Sequence, residues 1–429
     1  QKNYRAKHLG ELAWNLTEIT RLEEYRNART VLAQVYIESW DKRKIRGVLS
    51  LISAKLQRAV VVGMTNSNKE VYDSFSDTTE NKESVIIDLL CFESSTVQVE
   101  VYDTEEKCEL AAGGKLGLLL KENQDAKGVN LFVAGVMTAI EDFITMATAE
   151  NVEVPFFGST AAVSRHKGEK DIECGCVFYG SQLVKKGFVA VILIGKDLHI
   201  RTGYNFGWTT IGKKMKVTKM KDEQLVCEID GKPATYVYKK YLGLSHDQLT
   251  ADNVCEFPFG VMRGSRLLAR IGFKTDDPDT MIFSAPMYEE DEIQLTYGNP
   301  DIIFAESFAD AMEVRRFQPQ ALSLIACMNR SILLKKDVEI EHDFYTPAAP
   351  EKMIVHGNSE VLFDAEGGGE LNSALVSVAM REGDAPEETP EIRACNKANC
   401  PYEQKTIPLV RRMTTFLEAT TRDLADAVE

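Results

Sequence analysis

The sequence predicts an α/β protein in which mixed β-sheets are flanked by helices. Short apolar runs of strand length alternate with longer stretches of helical periodicity. A strand–helix–strand pattern recurs along the chain, each time ending in a glycine followed closely by a hydroxyl side chain. The 429 residues, 44% of them hydrophobic, provide for two or three domains with a substantial core.

The composition excludes several classes of partner. Acidic side chains outnumber basic ones by 65 to 50, giving a net charge of −15, which repels phosphate backbones and anionic lipid. We therefore expect neither nucleic acid nor a membrane as a partner, and no apolar run approaches the roughly 20 residues of a membrane span. Nine cysteines, several inside apolar runs, are typical of free thiols in a reducing cytoplasm. Because the chain opens on Gln1 and stops within a helical pattern, we expect it to be part of something longer.

The first elements follow from periodicity. An amphipathic helix is predicted over residues 5–26, ahead of the first strand, as a lid or dimer helix. A strand over 30–37 follows, then a helix over 41–56 with Ile45, Val48, Leu49 and Ile52 on one face. A second strand over 58–62 is predicted to end at Gly63, where glycine permits a tight turn or a close approach of a ligand.

This unit recurs twice, which predicts divergent copies within one globular assembly. The copies end in the following tripeptides: Gly63-Met64-Thr65, Gly158-Ser159-Thr160 and Gly357-Asn358-Ser359. The second copy has a strand at 129–136 and a helix at 140–149, and the third has a strand at 321–327 and a helix near Asp337. A further strand is predicted after each copy, at 85–92, 188–194 and 374–380.

The region between the second and third copies is predicted to be rich in strands and turns. Strands are expected at 216–219 and 223–229, and a second β-rich stretch at 257–295. Asp230-Gly231-Lys232-Pro233 is a strong turn signal, with Pro233 suited to the first position of a helix over 234–242. Gly367-Gly368-Gly369 is interpreted as a hairpin turn, because no Lys-Ser/Thr follows it to make a phosphate loop.

The tail changes character at residue 382, where an acidic, proline-containing linker begins. Beyond it, two series of side chains spaced by seven interleave at three and four: Ile407, Thr414, Thr421 and Val428, and Val410, Leu417 and Leu424. This pattern predicts a coiled-coil seam over 407–429, and an ordinary amphipathic helix packed on its own domain is the alternative.

Several motifs, taken in order, resemble the FIST domain family. They are Gly203-Tyr-Asn-Phe-Gly-Trp208 to Gly212, Val217-Thr218, Cys227-Glu-Ile-Asp-Gly231-Lys-Pro-Ala234, Tyr238 to Gly243, Phe257-Pro258-Phe259, Cys327-Met-Asn-Arg330 and His356-Gly-Asn-Ser-Glu360. The resemblance covers about residues 29–381. One departure is that the usual Gly-Glu pair of the last motif is here Ser359-Glu360. The predicted organisation is a helix (1–28), a FIST N-terminal half (29–243), a FIST C-terminal half (244–381), a linker (382–406) and a signalling helix (407–429).

The resemblance implies a cytoplasmic sensory module of a bacterial signalling protein, dimeric, and fused to or encoded beside an output such as a diguanylate cyclase or a kinase. Its ligand would be a small molecule, with amino acids among the candidates, bound in a cleft between the halves. No chemistry on the ligand is implied, so the chain is predicted not to be an enzyme. Two alternatives stay open: a haem-binding nitric-oxide sensor of the same family, and an enzyme acting on a small metabolite.

Arg330 heads the candidate ligand-binding residues, because a guanidinium just past a strand end can hold a carboxylate bidentately. Glu360 would accept from a ligand ammonium, with Asn358 and Ser359 around it. The alternative for Arg330 is an ion pair with Glu360 or Glu341. The remaining candidates are Gly158, Ser159, Thr160, Thr65, Trp208 and Cys327.

Each of these further candidates has a structural alternative. Gly158, Ser159, Thr160 and Thr65 either line the cleft or cap the segments that follow them. Trp208, with Tyr204 and Phe206, forms an aromatic wall or simply packs in the core.

No cofactor is predicted. A haem sensor would need an axial histidine or cysteine, and His342 and His356 are the two histidines that merit testing. Covalent haem attachment is excluded because Cys-x-x-Cys-His is absent. The close pairs Cys174/Cys176 and Cys395/Cys400 are interpreted as surface thiols, with a shared metal site as the alternative. No nucleophile elbow, phosphate loop or His-Glu-x-x-His motif is present.

Overall fold

The structure, a computed structural model, describes residues 1–39, 41–65, 84–104, 108–135, 138–149, 153–161, 163–164, 173–387, 413 and 417. The described strands are β1 (Lys2–Ala6), β2 (Thr30–Ile37), β3 (Ala59–Thr65), β4 (Val85–Phe92), β5 (Thr96–Asp103), β6 (Ala126–Ala134), β7 (Phe156–Thr160), β8 (Val163–Ser164), β9 (Glu173–Cys174), β10 (Val177–Tyr179), β11 (Gln182–Val184), β12 (Gly187–Ile194), β13 (Leu198–Asn205), β14 (Trp208–Met220), β15 (Leu225–Ile229), β16 (Lys232–Pro233), β17 (Phe259–Arg263), β18 (Arg266–Arg270), β19 (Gly272–Lys274), β20 (Met281–Phe283), β21 (Glu292–Gly298), β22 (Ala321–Cys327), β23 (Met353–Gly357), β24 (Glu360–Asp364), β25 (Gly367–Glu370) and β26 (Leu375–Glu382).

The described α-helices are α1 (Leu9–Arg21), α2 (Glu23–Asn27), α3 (Lys42–Lys55), α4 (Glu109–Glu122), α5 (Ile140–Thr148), α6 (Tyr236–Leu242), α7 (Ala251–Val254), α8 (Pro300–Phe317), α9 (Met328–Leu334) and α10 (Val338–Asp343). Short 3₁₀ turns occur at His246–Gln248 and Lys335–Asp337. The α/β class with mixed sheets flanked by helices is confirmed.

The predicted repeat is confirmed, and each copy is larger than the sequence indicated. In every unit two strands run parallel, β2 with β3, β6 with β7 and β22 with β23. The strand after each copy returns antiparallel to its first strand, as β4, β12 and β26. An additional strand opens each unit and gives the same order three times: β1-β4-β2-β3, β5-β12-β6-β7 and β13-β26-β22-β23. The chain therefore contains three βαβαββ units.

Hairpins join the first two units to the units that follow them. The hairpin β10–β11, inserted in the second unit, pairs with β3 and extends the first sheet. The hairpin β24–β25, inserted in the third unit, pairs with β7 and extends the second sheet. Because the first and second sheets are each completed by a segment from the next unit, the three units share a continuous framework.

Gly63 does not end its strand, as the sequence had suggested. Strand β3 continues to Thr65, and Gly63 lies within it beside Val35 of β2. A Cβ atom on Gly63 would lie 1.8 Å from the Val35 carbonyl oxygen, and one on Gly158 would lie 1.9 Å from that of Leu131. Both glycines therefore permit a close approach of neighbouring backbones.

The N-terminal helix differs from its prediction in bounds and order. Strand β1 precedes it and pairs with β4, and the helical region is divided into α1 and α2 at Leu22. Leu12, Leu16 and Ile19 are buried in a core that also contains Ile45 and Leu49 of α3. The helix is thus part of the first unit, and the apolar face predicted for α3 is the buried one.

A further sheet is inserted in the third unit, in the order β18-β17-β21-β14-β15-β20-β19, with β16 paired to β15. The turn between β15 and β16 is confirmed: Asp230 and Gly231 both have left-handed backbone angles, φ 53° and 68°, as a two-residue hairpin requires. Pro233 lies in β16, and the helix begins only at Tyr236, so its predicted role at a helix start is wrong. The sheet takes strands from both sides of residue 243.

Helices in the described ranges are too short or too polar to cross a membrane. The predicted linker is described only as far as residue 387, and the predicted signalling helix only at Met413 and Leu417, which are helical and exposed. Cys395 and Cys400, and the side chain of Cys174, lie outside the described residues. Cys176 is a buried free thiol, so its interpretation as a surface thiol is wrong.

Candidate functional site

Arg330 is fully buried and paired within the protein. Its Nε donates to both carboxylate oxygens of Glu341 at 3.0 Å, and Nη2 donates to one of them at 2.5 Å. Nη1 donates to the carbonyls of Phe206 at 2.7 Å and Ser373 at 3.1 Å. The ion pair with Glu341 is therefore the observed arrangement, and a ligand carboxylate could reach Arg330 only by displacing these acceptors.

Glu360 lies beside Arg330 and is also fully buried. One carboxylate oxygen accepts from the Cys327 amide at 3.1 Å, while Oε2 lacks a hydrogen-bond partner within the described part of the chain. Burial raises the pKa of Glu360 to about 8, against the opposing effect of the Arg330 charge. Cys327 donates its thiol to the Asn358 carbonyl at 3.3 Å, and burial raises its pKa well above the usual value.

The candidates Ser159, Thr160 and Ser359 meet at the junction of the second and third units. The Thr160 hydroxyl accepts from the Ser359 amide at 2.7 Å, and the Ser359 carbonyl accepts from the Thr160 amide at 3.0 Å. The Ser159 hydroxyl also donates to that carbonyl, at 3.2 Å. The Ser359 hydroxyl donates to Glu370 at 2.6 Å. These side chains are buried and satisfy one another.

Thr65 lies at the corresponding junction of the first and second units, apart from the other candidates. Its hydroxyl accepts from the Cys176 amide at 3.0 Å, and its amide donates to the Cys176 carbonyl at 2.9 Å. This is the same reciprocal pattern as that of Thr160 with Ser359. The recurring hydroxyl residue thus joins each of these two units to the hairpin of the next.

Trp208 contributes to core packing, the alternative weighed from the sequence. Its ring stacks on Phe206 with centroids 5.3 Å apart, and Phe206 stacks on Tyr204 at 6.0 Å. The Arg330 guanidinium lies 5.7 Å from the Trp208 ring centre, within cation–π range. The aromatic row therefore packs beside the buried ion pair.

An open cleft of about 540 Å³ lies next to this cluster and was missed by sequence reasoning. It is formed by helix α5 and the hairpins β17–β18 and β24–β25. Its charged and polar lining includes Glu141, Arg263, Tyr288, Asp364 and Glu366. The volume is within the range of small-molecule sites. Gly367 to Gly369 lie in strand β25 along one wall, and the turn of this hairpin is at residues 365–366, so their interpretation as the turn itself is wrong.

Some charged side chains of the cleft are paired with a neighbour, and others are exposed. Arg263 donates to both Asp291 oxygens at 2.8 and 2.9 Å and stacks on Tyr288 at 4.7 Å, while its Nε lacks a hydrogen-bond partner among the described residues. Arg266 holds Asp364 bidentately at 2.7 and 2.9 Å. Glu366 lies 3.4 Å from Arg266 with a side chain 71% exposed. The Glu366 carboxylate therefore remains accessible to a ligand, whereas the Nε of Arg263 is buried 3.5 Å from Glu141.

A chain of hydrogen bonds connects the cleft to the buried junction. Glu141 accepts from the Tyr288 hydroxyl at 3.0 Å and from Arg270 at 2.5 Å. Arg270, fully buried, also donates to the Glu370 carbonyl at 3.0 Å. The Glu370 carboxyl accepts from Ser359, and burial raises its pKa to about 7. These hydrogen bonds link the cleft to the contact between the second and third units.

The architecture is that of an α/β protein built from repeated units, with a ligand-sized cleft beside a buried polar junction. The family model for the FIST N domain matches residues 31–232, and that for the FIST C domain matches residues 234–350. The chain belongs to the FIST family, whose domains are sensory domains of signal-transduction proteins. The comparison with curated proteins finds no match.

Proposed function

We propose that this FIST chain is a cytoplasmic sensory module that binds a small molecule in the cleft and does not transform it. The observation that carries the proposal is the cleft of about 540 Å³, which is lined by side chains of both charges. In this proposal the ligand binds in the cleft and does not contact Arg330 directly. Arg330, Glu360, Cys327 and Trp208 then act as the rigid support of the site.

An amino acid is the ligand class that these groups favour. Its ammonium would lie against Glu366, the exposed carboxylate, with Asp364 nearby. Its carboxylate would lie against the guanidinium of Arg263, which lines the cleft and would have to turn its N–H groups from Glu141 and Asp291 toward the ligand. Such charge-assisted hydrogen bonds are stronger than neutral ones and fix the orientation of a compact zwitterion.

The signal would pass from the cleft through Arg270 to the unit junction. A ligand can shift the arrangement of the units only by its differential affinity for the two states. Ligand contacts at Arg263 would act on Glu141, 3.5 Å away, and from there on Arg270 and Glu370. The contact between units would then change at the far end of this series of hydrogen bonds. The residues there are Ser359, Asn358, Thr160, Ser159 and Gly158.

The output side of the proposal rests on the heptad pattern of residues 407–429. A helix of that pattern would transmit the bias to an attached or separate output, such as a diguanylate cyclase or a kinase, and would suit a homodimer.

Thermal-shift screening with the common L-amino acids, followed by calorimetric titration of any ligand found, tests the proposal. Ligand at a hundred times its dissociation constant adds about 2.7 kcal/mol to the folded state. We expect Glu366→Gln to lose the shift and Glu122→Gln, an exposed carboxylate on α4, to keep it. Equal thermal shifts in the two variants would exclude the cleft as the binding site. Conversion of the ligand to a product during incubation, detected by mass spectrometry, would show that the protein is an enzyme.

A further inference from the structure

Two histidines singled out from the sequence meet in the structure. His342 is on helix α10 and His356 is on strand β23, and their ring centres are 5.7 Å apart with the planes inclined at 56°. Neither residue belongs to the cleft or to the hydrogen-bond chain of the proposed function. The pair therefore requires an explanation of its own.

His342 carries an orphaned ring nitrogen. The residue is only 6% exposed, and its Nε2 lacks a hydrogen-bond partner within the described part of the chain. Leaving a buried polar atom unsatisfied is unfavourable, so such an atom is a candidate for binding a ligand. His356 is partly exposed. A small solute bound between the two rings could satisfy the nitrogen.

The ring separation suits a shared metal ion. Imidazole nitrogens bind zinc at about 2.0–2.1 Å, which puts each ring centre about 3.2 Å from the ion. Two imidazoles at a tetrahedral angle then have centres roughly 5.2 Å apart, and a linear arrangement gives roughly 6.4 Å. The observed 5.7 Å lies between these limits.

The charge around the pair does not oppose a cation. Burial lowers the pKa of His342 below its usual value, which favours the neutral imidazole that binds metals. Glu341 and Asp343 are the acidic neighbours, and Lys352 and Arg330 are the basic ones. Because Glu341 is already paired with Arg330, the surroundings are close to balanced.

We propose that His342 and His356 bind one divalent transition-metal ion of the zinc, copper and nickel class. Clusters of three or more His, Cys, Asp or Glu side chains able to hold a metal ion do not occur among the described residues, so water completes the coordination. With two protein ligands the site is exchangeable. It joins α10, which carries Glu341, to β23, which leads into Asn358 and Ser359.

Metal titration of the full chain after chelator treatment tests this site. The probe is Zn²⁺ alone, measured by competition with a chromophoric chelator, and Co²⁺ absorbance reports the ligand set. We expect His342→Asn and His356→Asn each to weaken binding at one site about tenfold or more. His199→Asn, an exposed histidine of β13, is the matched control and should bind as wild type does.

Two results would overturn the proposal. One is a wild-type chain that binds neither Zn²⁺ nor Co²⁺ below millimolar concentration. The other is unchanged affinity and stoichiometry in the two pair variants. Circular dichroism checks that His342→Asn is folded. If His342→Asn does not fold, metal binding by His356→Gln, a substitution at the partly exposed histidine, decides the question alone.

Discussion

Thr160 and Ser359 exchange hydrogen bonds across the junction of two units: the Ser359 amide donates to the Thr160 hydroxyl at 2.7 Å, and the Thr160 amide donates to the Ser359 carbonyl at 3.0 Å. Thr65 and Cys176 repeat the exchange at the preceding junction. Two unrelated turns would not share such a pattern. The recurring hydroxyl residue is therefore a joint between units.

Removing the Thr160 hydroxyl should weaken this joint. Thr160→Val keeps the side-chain shape but leaves the buried Ser359 amide without its acceptor, which we expect to lower the free energy of unfolding by about 1–3 kcal/mol. Thr160→Ser restores the hydroxyl and should stay closer to wild type. Urea unfolding of the two variants measures the difference, and equal midpoints would show that the hydroxyl is dispensable.

Arg330→Ala should affect the fold before it affects any ligand. It leaves Glu341 buried without its cation, and breaking a buried ion pair costs about 3–5 kcal/mol. Arg21→Ala breaks an exposed pair with Glu18 and should cost under about 1 kcal/mol. Thermal and chemical denaturation compare the two. An Arg330→Ala chain as stable as Arg21→Ala would argue that the buried pair contributes little.

Glu360 should make stability fall as the pH rises. Burial raises its pKa to about 8 in the folded state, whereas the unfolded carboxyl titrates near 4.5. The folded chain therefore holds a proton that the unfolded chain releases, and the free energy of unfolding declines between these pH values and levels off above pH 8. Asp88 and Glu370, each with a pKa raised to about 7, act in the same direction.

Glu360→Gln removes one of these contributions. We expect the variant to resemble wild type near pH 5 and to exceed it by a few kcal/mol near pH 8.5, since one pKa unit corresponds to about 1.4 kcal/mol. Unfolding free energies measured across this range, with Glu122→Gln as the control, decide the matter. Parallel profiles for wild type and Glu360→Gln would contradict the assignment.

Gly63 and Gly47 offer a matched pair of glycine substitutions in one unit. A Cβ on Gly63 would lie 1.8 Å from the Val35 carbonyl, whereas Gly47 on α3 has open space around it. Gly63→Ala should therefore destabilise by more than about 3 kcal/mol. Gly47→Ala should stabilise by about 0.5–1 kcal/mol through helix propensity. Calorimetric unfolding compares the two variants. Similar midpoints would contradict a close approach of the β2 and β3 backbones at Gly63.

Local patterns predicted much of the secondary structure. The strands at 30–37, 85–92 and 321–327 have the bounds expected from their apolar runs. The opening strands of the three units were harder to foresee. β1 is a short strand with a mostly half-buried pattern, and β5 is half-buried along most of its length. Such strands depend on pairing with a distant neighbour more than on their own composition.

The sequence by itself determined the repeated strand–helix–strand pattern, the Asp-Gly hairpin and the family, because each depends on side chains close together in the chain. Only the tertiary structure decided what the polar residues do. In the folded chain Arg330 is paired with Glu341, and Thr65 and Thr160 lie at the unit junctions. The cleft is formed by three segments that are separated in the sequence, and His342 lies beside His356. The partner of a polar side chain depends on how deeply the side chain is buried and on which distant strands pair. A single local motif specifies neither of these.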